Sequence, residues 1–368
     1  MSIKKRIASI AMAFMMVVSV IPVGLGQADT AEAASYKKLQ ITYFSVGAGD
    51  SIHIKLPNGK NVLIDGGLTS QGSRVVAKLK KQKVKTIDYL ISTHPDADHV
   101  GGLQQVFKSL KVKNFYYPSD VPYSTHTAKN VIRLAKREKC KIYHPKQDKV
   151  IAGGNGCKLE FVQANKNYSG SNEDSLAMFL DYGNLEALFC GDNEKGSQEA
   201  IEKHNVDIVM LPHHGSKYAT TSTFIKRFDP EYVVVSTDGK KYGHPHKEVF
   251  NRLKAYSKGI KAYRTDKDGD IVVTATGKSW KINKKGNNIS KYCGAVSSSS
   301  GSHHNSHSNS HSSAHSSTSA KGYVYITATG KKYHCNKGCR GLARAKKIYK
   351  VKKGSSSTKG LSPCSICY

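Results

Sequence analysis

The chain has 368 residues, which is enough for one large domain or two smaller ones. Its 57 lysine and arginine side chains outnumber 27 aspartates and glutamates, which gives a net charge of +30. Such a charge attracts polyanions, for example nucleic acid, wall polymers or anionic lipid. The alternative is that the lysines only keep the protein in solution. Beyond the N-terminal segment no apolar run is long enough to cross a membrane, which excludes a chain that spans the bilayer several times.

The first 34 residues predict a signal peptide. A basic start, Lys4-Lys5-Arg6, precedes an apolar stretch from Ile7 to Val23, and Ala31-Glu32-Ala33 is a small-residue cleavage site. The alternative is a membrane anchor, but the apolar run is short for a span. We therefore expect a secreted, extracellular protein. Residues 1–33 carry three basic and two acidic side chains, so the mature chain keeps a net charge of +29.

Apolar periodicity then predicts strands that pair first and alternate with helices later. The turn Pro57-Asn58-Gly59-Lys60 separates two of the early strands. The predicted strands are Leu39–Val46, Ser51–Leu56, Asn61–Ile64, Ile87–Ser92, Lys158–Gln163, Leu176–Tyr182, Leu185–Phe189, Asp207–Met210, Tyr232–Ser236, Ile260–Arg264 and Asp270–Thr276. The predicted helices are Arg74–Lys83, Leu103–Leu110, Ala128–Arg137, Gly196–Lys203, Thr221–Phe228 and Lys247–Ser257. This order indicates sheets covered by helices rather than a simple β-sandwich.

Composition changes abruptly after the last predicted strand. Ser297–Ala320 is rich in Ser, His, Gly and Asn and has no apolar periodicity, so it predicts the centre of a flexible linker at 291–320. Its histidines either hold a metal loosely or are solvated linker residues. The linker divides a body at 36–290 from a small tail at 321–368.

The densest group of metal-ligating side chains is His94-Pro95-Asp96-Ala97-Asp98-His99, between the predicted strand Ile87–Ser92 and a helix. Four such side chains within six residues cannot all face one way in a regular element, but they can converge on a loop. Imidazole and carboxylate together suit Zn, Mn or Fe, and two ligand sets can hold two ions. The alternative, a polar turn rich in aspartate, does not explain the two flanking histidines.

Other acidic and imidazole side chains also follow apolar strands. Asp65 follows Val62-Leu63-Ile64, Asp192 follows Leu188-Phe189-Cys190-Gly191, and the pair His213-His214 follows Val209-Met210-Leu211-Pro212. Each alone is as easily a turn residue. Because rigid scaffolds present site residues at strand ends, their repetition indicates one shared site.

The series resembles the metallo-β-lactamase superfamily, and within it the hydrolase domains of the ComEC family of DNA-uptake proteins. The matching motifs keep the family's order and cover roughly residues 39–280. They are Val46-Gly47-Ala48-Gly49-Asp50, Leu63-Ile64-Asp65-Gly66-Gly67, the stretch from Ser92 to Leu103, Asn172-Glu173-Asp174-Ser175-Leu176, Cys190-Gly191-Asp192, Pro212-His213-His214-Gly215-Ser216 and Tyr242-Gly243-His244-Pro245.

The resemblance implies an α/β fold, the αββα sandwich, with the site at one edge of its two sheets. It implies two ions, Zn²⁺ or Mn²⁺. His94 and Asp96 would hold one ion, Asp98 and His99 would hold the other, and Asp192 would bridge the two.

The same resemblance implies further residues around the ions. His213 would complete the second ion's site, and His214 is the alternate. Asp65 would fix the tautomer and ring angle of ligand histidines by hydrogen bonds, unless it is a plain turn residue. Many superfamily members carry histidine at the position of Asp96 and another near Asn172 to Ser175, whereas the ComEC-like branch lacks both. A site with more oxygen ligands and fewer nitrogen ligands has a weaker preference for zinc. Binding of Mn²⁺ and a resting state with one metal therefore both remain possible.

Such a site predicts hydrolysis by a metal-activated water, which is hydroxide near neutral pH and attacks phosphorus or a carbonyl carbon. Asp98, His244 and His246 are the candidate catalytic residues. His244 or His246 would bind a phosphate or protonate the leaving group, unless both are solvated loop histidines. Lys217 is a lesser candidate for contacting substrate charge.

The tail contains a second group of candidate metal ligands. Its pattern resembles the small zinc module of Ada-type repair proteins and predicts a closed, four-coordinate structural Zn²⁺ site, although two disulfides are the rival in a secreted chain. The predicted ligands are His334, Cys339, Cys364 and Cys367, with Cys335 as the alternate.

Three functions compete at this point. The first is a phosphodiesterase or nuclease that cleaves extracellular DNA. The second is a metallo-hydrolase of another substrate, namely a wall-polymer phosphodiester, a phosphocholine ester, a lactone or a β-lactam, because fold alone does not choose the substrate. The third is a polyanion-binding protein with a vestigial site.

Overall fold

The computed structural model describes two units of the chain, which divide between Val296 and Ser297. The described residues are 37–168, 170–202, 206–257 and 259–293 in the first unit, and 323–327, 332–334, 342, 348–352 and 356–363 in the second. Among them, no helix has both the length and the apolar character needed to cross a membrane. The predicted signal peptide and the predicted linker's Ser/His-rich run lie outside the described residues, so both stay predictions.

The first unit contains two eight-stranded mixed sheets. In the first sheet the strands lie in the order β15-β14-β1-β2-β3-β4-β5-β6, and β3 to β6 are parallel. Their bounds are β1 Leu39–Tyr43, β2 Ile52–Lys55, β3 Asn61–Ile64, β4 Thr86–Ile91, β5 Lys111–Tyr116, β6 Lys141–Tyr143, β14 Ile271–Ala275 and β15 Trp280–Ile282.

The second sheet has the order β16-β13-β12-β11-β10-β9-β8-β7, with β10 to β13 parallel. Its strands are β7 Lys149–Gly154, β8 Cys157–Gln163, β9 Ala177–Tyr182, β10 Leu185–Phe189, β11 Ile208–Met210, β12 Tyr232–Val235, β13 Lys261–Arg264 and β16 Asn287–Asn288. The parallel strands of each sheet carry their carboxyl ends to the same edge, where functional side chains of such folds gather.

Helices cover the outer face of each sheet. Their bounds are α1 Gly72–Lys81, α2 Ala97–Val100, α3 Leu103–Ser109, α4 His126–Arg137, α5 Lys195–Glu199, α6 Ser222–Phe228, α7 Lys247–Tyr256 and α8 Thr265–Asp268. Apolar residues three and four apart give α4 one buried face, and Thr125 Oγ1 caps the helix by accepting a hydrogen bond from Ala128 N at 3.2 Å.

Three apolar layers result from this arrangement. Alternating residues of β1, Leu39, Ile41 and Tyr43, pack between the sheets with Phe161 and Phe189 of the second sheet. A second cluster joins α1, α3 and α4 to the first sheet, and a third joins α6 and α7 to the second sheet. The predicted αββα sandwich is therefore confirmed.

The strands that were not predicted lie mostly at sheet edges. β6 and β15 end the first sheet, and β7 and β16 end the second. Edge strands are less buried, so their apolar periodicity is weak; in β6 both lysine and tyrosine side chains are exposed. β5 was also missed because its lysine-rich start, Lys111-Val112-Lys113, directly follows a helix.

In the second unit, Tyr323–Ile326 pairs antiparallel with Tyr349–Lys352, and Lys332–Tyr333 pairs parallel with Ser362–Pro363. His334 is buried, exchanges backbone hydrogen bonds with Tyr325, and its Nδ1 has no partner among the described residues. The predicted zinc-ligating cysteines and the alternate Cys335 lie outside the described residues.

Candidate metal centre

The candidate site lies where four parallel strands end. Asp65 directly follows β3, the stretch from His94 to His99 follows β4, and Asp192 follows β10. His213 and His214 follow β11 within a short 3₁₀ turn, Pro212–Gly215, and both adopt the left-handed backbone conformation, with φ of 50° and 53°. Side chains from distant parts of the chain therefore meet at one edge of the sandwich.

Asp65 contacts the His99 ring on the side away from the centre of the site, and both side chains are fully buried. His99 Nδ1 donates to Asp65 Oδ2 at 2.9 Å. A carboxylate only accepts, so Nδ1 carries a proton and Nε2 is the nitrogen that faces the centre of the site. Asp65 is itself fixed by Thr93, whose backbone N and Oγ1 donate to it at 2.8 and 2.6 Å.

The His94 ring is oriented in the same sense by hydroxyl groups. Its Nδ1 lies 3.1 Å from Thr93 Oγ1 and 3.2 Å from Ser175 Oγ. Because Thr93 Oγ1 donates its hydrogen bond to Asp65, it accepts a hydrogen bond from His94 Nδ1. His94 Nε2 is buried and has no hydrogen-bond partner among the described residues. A buried imidazole nitrogen without a hydrogen-bond partner, beside carboxylates, fits the role of a metal ligand.

Asp192 stands between two pairs of histidines. Its Oδ1 lies 3.2 Å from His99 Nε2 and 3.6 Å from His214 Nε2. Its Oδ2 lies 3.9 Å from His94 Nε2 and 3.6 Å from His213 Nε2. One carboxylate thus offers a different oxygen to each pair.

The two neighbouring histidines after β11 fall on different sides of Asp192. His214 Nε2 lies 3.3 Å from His99 Nε2, and its Nδ1 donates to the Ser236 carbonyl at 3.1 Å. His214, the alternate in the sequence prediction, therefore occupies the place beside His99 that was expected for His213. His213 instead faces the oxygen of Asp192 that also faces His94.

Asp50 is a buried neighbour of the histidines that was not among the predicted site residues. Its Oδ1 lies 3.3 Å from His214 Nδ1 and its Oδ2 lies 3.9 Å from His99 Nδ1. Together with Asp192 these residues form a buried group of two aspartates and two histidines with ligand atoms within 4.8 Å of one another, which can hold a metal ion. The matching motif contained Asp50, but nothing local to its glycine-rich loop assigned it a role.

The electrostatics of the group favour positive charge at its centre. Burial alone raises the pKa of Asp192, but the charges of His99 and His214 outweigh it and hold that pKa well below its usual range. Burial lowers the pKa of His99, yet Asp192 and Asp65 raise it well above its ordinary value, and the pKa of His214 rises to about 9 for similar reasons. Burial and the His99 charge lower the pKa of His94. The carboxylates thus gather protons that a divalent cation would replace.

Asp96 and Asp98 lie at the open side of the group. Asp96 Oδ2 is 3.9 Å from His94 Nε2, and its Oδ1 accepts from Ser171 Oγ at 3.2 Å. Asp98 Oδ2 is 4.0 Å from His214 Nε2. Lys241 Nζ, which the sequence did not single out, donates to the same Asp98 oxygen at 3.1 Å.

The other predicted residues surround the histidines. Asn172 Nδ2 lies 3.3 Å from His213 Nδ1, which also contacts Glu194 Oε1 at 3.2 Å; Glu194 was not predicted. The His244 ring centre is 5.2 Å from that of His213, and its buried Nδ1 has no partner among the described residues. Burial and the neighbouring His213 lower the pKa of His244 to about 3.

His246 and Lys217 lie further out. The ring of His246 is centred 4.7 Å from that of His244, and its Nδ1 accepts a hydrogen bond from Lys217 N at 3.2 Å. Lys217 Nζ is paired with Glu248 at 3.0 Å, so that carboxylate offsets its charge.

A cleft of about 610 Å³ opens beside Asp96 and Asp98. Its walls include hydroxyl, carboxylate and aromatic side chains together with one ammonium group, contributed by Asp120, Ser124, Thr125, Tyr168, Ser171, Asp174, Lys241 and Tyr242. A small gap of about 10 Å³, close to the space one water needs, lies among Asp98, His214 and His244. A substrate in the cleft would therefore reach the open side of the candidate metal centre.

Comparison with known proteins agrees with this geometry. The family model of the metallo-β-lactamase superfamily matches residues 45–240. ComE operon protein 3 of Bacillus subtilis is 29% identical over 257 residues, which cover 63% of this chain and 32% of the relative. Competence protein ComA of Neisseria gonorrhoeae is 26% identical over 247 residues, 65% of this chain and 33% of the relative. The chain thus spans about a third of the length of these curated relatives.

Among solved structures, the metallo-β-lactamase fold protein YhfI from Bacillus subtilis aligns with a TM-score of 0.47 and 13% identity, over 65% of this chain and 100% of that chain. The family assignment rests on the matched family model, which covers more than half of the 368 residues. The chain therefore belongs to the metallo-β-lactamase superfamily, as a metallo-hydrolase related to competence proteins.

Proposed function

We propose that this protein is a secreted, metal-dependent phosphodiesterase that cleaves nucleic acid, with extracellular DNA as its substrate. The observation that carries the proposal is the position of Asp192, whose two carboxylate oxygens face two different pairs of imidazole nitrogens. A carboxylate shared in this way suits a pair of cations, and paired cations suit phosphodiester cleavage.

Two ligand sets would hold the ions. His94, Asp96 and His213 would surround the Oδ2 side of Asp192, while Asp98, His99 and His214 would surround its Oδ1 side. The mixture of imidazole and carboxylate suits Zn²⁺ or Mn²⁺. When bound, the ions would lower the pKa of a water and offset negative charge on the phosphate.

The remaining residues would orient the ligand histidines and contact the substrate. Asp65 and Ser175 would keep both imidazole rings turned toward the centre, since each contacts the Nδ1 atom behind its ring. Asp98 would face the reacting phosphate from the cleft side. His244, with its unpartnered Nδ1 beside the histidine pair, would donate a hydrogen bond to the leaving oxygen as a neutral imidazole, with His246 behind it.

Charge and relatedness support nucleic acid as the polyanion. The net charge of +29 on the mature chain draws DNA to the surface by a sequence-independent attraction. One relative is named competence protein ComA, and another, of Haemophilus influenzae, is named recombination protein 2, which supports a DNA-related role. The buried, unpartnered His334 Nδ1 supports our further proposal that the tail binds structural zinc with Cys339, Cys364 and Cys367.

The test is cleavage of labelled DNA by the purified full chain with Mn²⁺ or Zn²⁺, beside a panel of phosphocholine, lactone and β-lactam substrates. We expect DNA cleavage that a chelator abolishes, that excess salt weakens, and that His99→Ala removes. His144→Ala is the matched control, because His144 is an exposed histidine that contacts the Tyr117 carbonyl instead. Unchanged cleavage by His99→Ala, or turnover of another panel member alone, would reject the nuclease. Absence of bound metal would favour a vestigial polyanion-binding site.

A further inference from the structure

Lys241 is an ammonium group placed directly on a candidate metal ligand. Its Nζ donates to Asp98 Oδ2 at 3.1 Å, and that same oxygen is the one 4.0 Å from His214 Nε2. A cation bound between Asp98 and His214 would therefore compete with the lysine for one oxygen. Lys241 also lines the cleft, so once displaced from Asp98 its flexible stem keeps the charge at the cleft wall.

The charge of the site explains why a further cation is needed there. The carboxylates that contact its histidines or Lys241 belong to Asp50, Asp65, Asp96, Asp98, Asp192 and Glu194. Six negative charges exceed the four positive charges of two divalent cations. A phosphodiester would therefore meet an excess of two negative charges, and one ammonium group beside it would halve that excess.

Tyr242 lies next to this lysine and is unusually open for an aromatic residue. It is 69% exposed and lines the same cleft. The centre of its ring lies 4.8 Å from Lys241 Nζ. The backbone of Tyr242 has a φ of 57°, and Gly239 and Gly243 on either side also have positive φ. The conformation of this loop, and not packing in the protein core, therefore positions the exposed ring of Tyr242.

We propose that Lys241 and Tyr242 form a nucleotide subsite, in which Lys241 leaves Asp98 for a substrate phosphate when a divalent cation takes the Asp98 oxygen, and Tyr242 stacks on the adjoining base. This inference rests on the proposed function. Lysine binds phosphate as a point charge, and base–aromatic stacking tolerates any sequence because every base has a π face. Both residues are substrate-binding groups outside the candidate ligand sets.

The two roles of Lys241 predict effects of opposite sign. Lys241→Gln removes the competitor at Asp98. The full chain should therefore bind Mn²⁺ roughly two- to fivefold more tightly by calorimetry, which is the change in affinity expected from the loss of a partly exposed ion pair. The same variant should raise KM for a fluorescein-labelled DNA 12-mer about tenfold, because it loses a charge-assisted phosphate contact. Lys240→Gln is the matched control: the neighbouring lysine is exposed, and its backbone N donates to Asp238.

Two substitutions of Tyr242 test whether its aromatic ring is required. Tyr242→Ala should raise KM for the 12-mer about tenfold and leave the Mn²⁺ affinity unchanged, whereas Tyr242→Phe should retain the wild-type KM. Tyr256→Ala controls for loss of an exposed tyrosine, since Tyr256 contacts Asp229 instead.

The two proposals fail differently. If the wild type cleaves no phosphodiester, the proposed function falls and the subsite falls with it. If the wild type cleaves the 12-mer but Lys241→Gln neither tightens Mn²⁺ binding nor raises KM, the subsite alone is overturned. An equal rise of KM in Lys240→Gln and Lys241→Gln would also overturn it, because it would show only general attraction of DNA to positive charge.

Discussion

Asp65 Oδ2 accepts a hydrogen bond from His99 Nδ1 at 2.9 Å, and neither side chain is exposed to solvent. This contact decides which nitrogen of His99 faces Asp192. The same carboxylate reaches His94 through the hydroxyl of Thr93. One buried aspartate therefore sets the orientation of both histidines of the motif after β4.

Replacing this carboxylate by an amide tests its role at nearly constant shape. In Asp65→Asn the amide oxygen can still accept from Thr93 N, which places the NH₂ group against His99 Nδ1. His99 must then accept at Nδ1 and carry its proton on Nε2, the atom needed for a metal. We expect metal affinity to fall about 10- to 100-fold by calorimetry.

The fold should survive this change, because asparagine tolerates the left-handed conformation of residue 65, where φ is 55°. Circular dichroism and the melting temperature of the metal-free variant are the controls. Wild-type metal affinity in Asp65→Asn would show that Asp65 is only a turn residue.

Metal binding should stabilise the body of the protein through Asp192. A cation that binds only the folded state at 100 times its Kd adds about 2.7 kcal/mol to the free energy of unfolding. We expect Mn²⁺ to raise the melting temperature of the chelator-treated wild type. Asp192→Asn should abolish that rise, because it removes the charge shared by both sides of the site. An equal rise in variant and wild type would place the stabilising ion elsewhere.

Gly49 allows the loop after β1 to approach the metal-binding stretch. A Cβ at this position would lie 1.8 Å from the Asp98 carbonyl oxygen, and the φ of Gly49 is +95°. Gly49→Ala should lower the free energy of unfolding by at least about 2 kcal/mol in urea and weaken metal binding, since Asp98 must move.

Gly59 provides the comparison for this steric effect. It has a similar φ of +84°, yet no atom lies within 4 Å of the position that a Cβ would take. Gly59→Ala should therefore show only the backbone cost. Equal losses of stability in the two variants would refute the close approach of Gly49 to Asp98.

His244 and His246 should differ in their effect on turnover. His244 has an unpartnered Nδ1 beside the histidine pair, whereas Nδ1 of His246 is engaged by the Lys217 backbone. We expect His244→Ala to lower kcat about 100-fold or more with metal content retained, and His246→Ala to cause a smaller loss. The measurement is steady-state cleavage of the DNA 12-mer, with metal content determined on the same samples. A larger loss in His246→Ala would reverse the two roles.

Local patterns predicted those parts of the site that lie next to a buried strand. Asp65, the stretch from His94 to His99, and Asp192 each follow an apolar run that the sequence shows directly, and the structure brings them together. The sequence did not single out Lys241 or Glu194, because their roles depend on loops that meet only after folding.

The choice between His213 and His214 also required the structure. Both residues follow β11, and their backbone φ values of 50° and 53° turn the two rings to opposite oxygens of Asp192. Sequence spacing carries no information on such a turn, since adjacent non-glycine residues rarely adopt positive φ. Edge strands were missed for a related reason: their side chains face solvent and lose apolar periodicity.

The position of Asp192 between two cations is tested most directly by anomalous diffraction from crystals of the full chain loaded with Mn²⁺. We expect two peaks, one on the Oδ2 side of Asp192 near His94 and His213, and the other on the Oδ1 side near His99 and His214. A map with no anomalous peak within coordination distance of Asp192 would contradict the proposed centre.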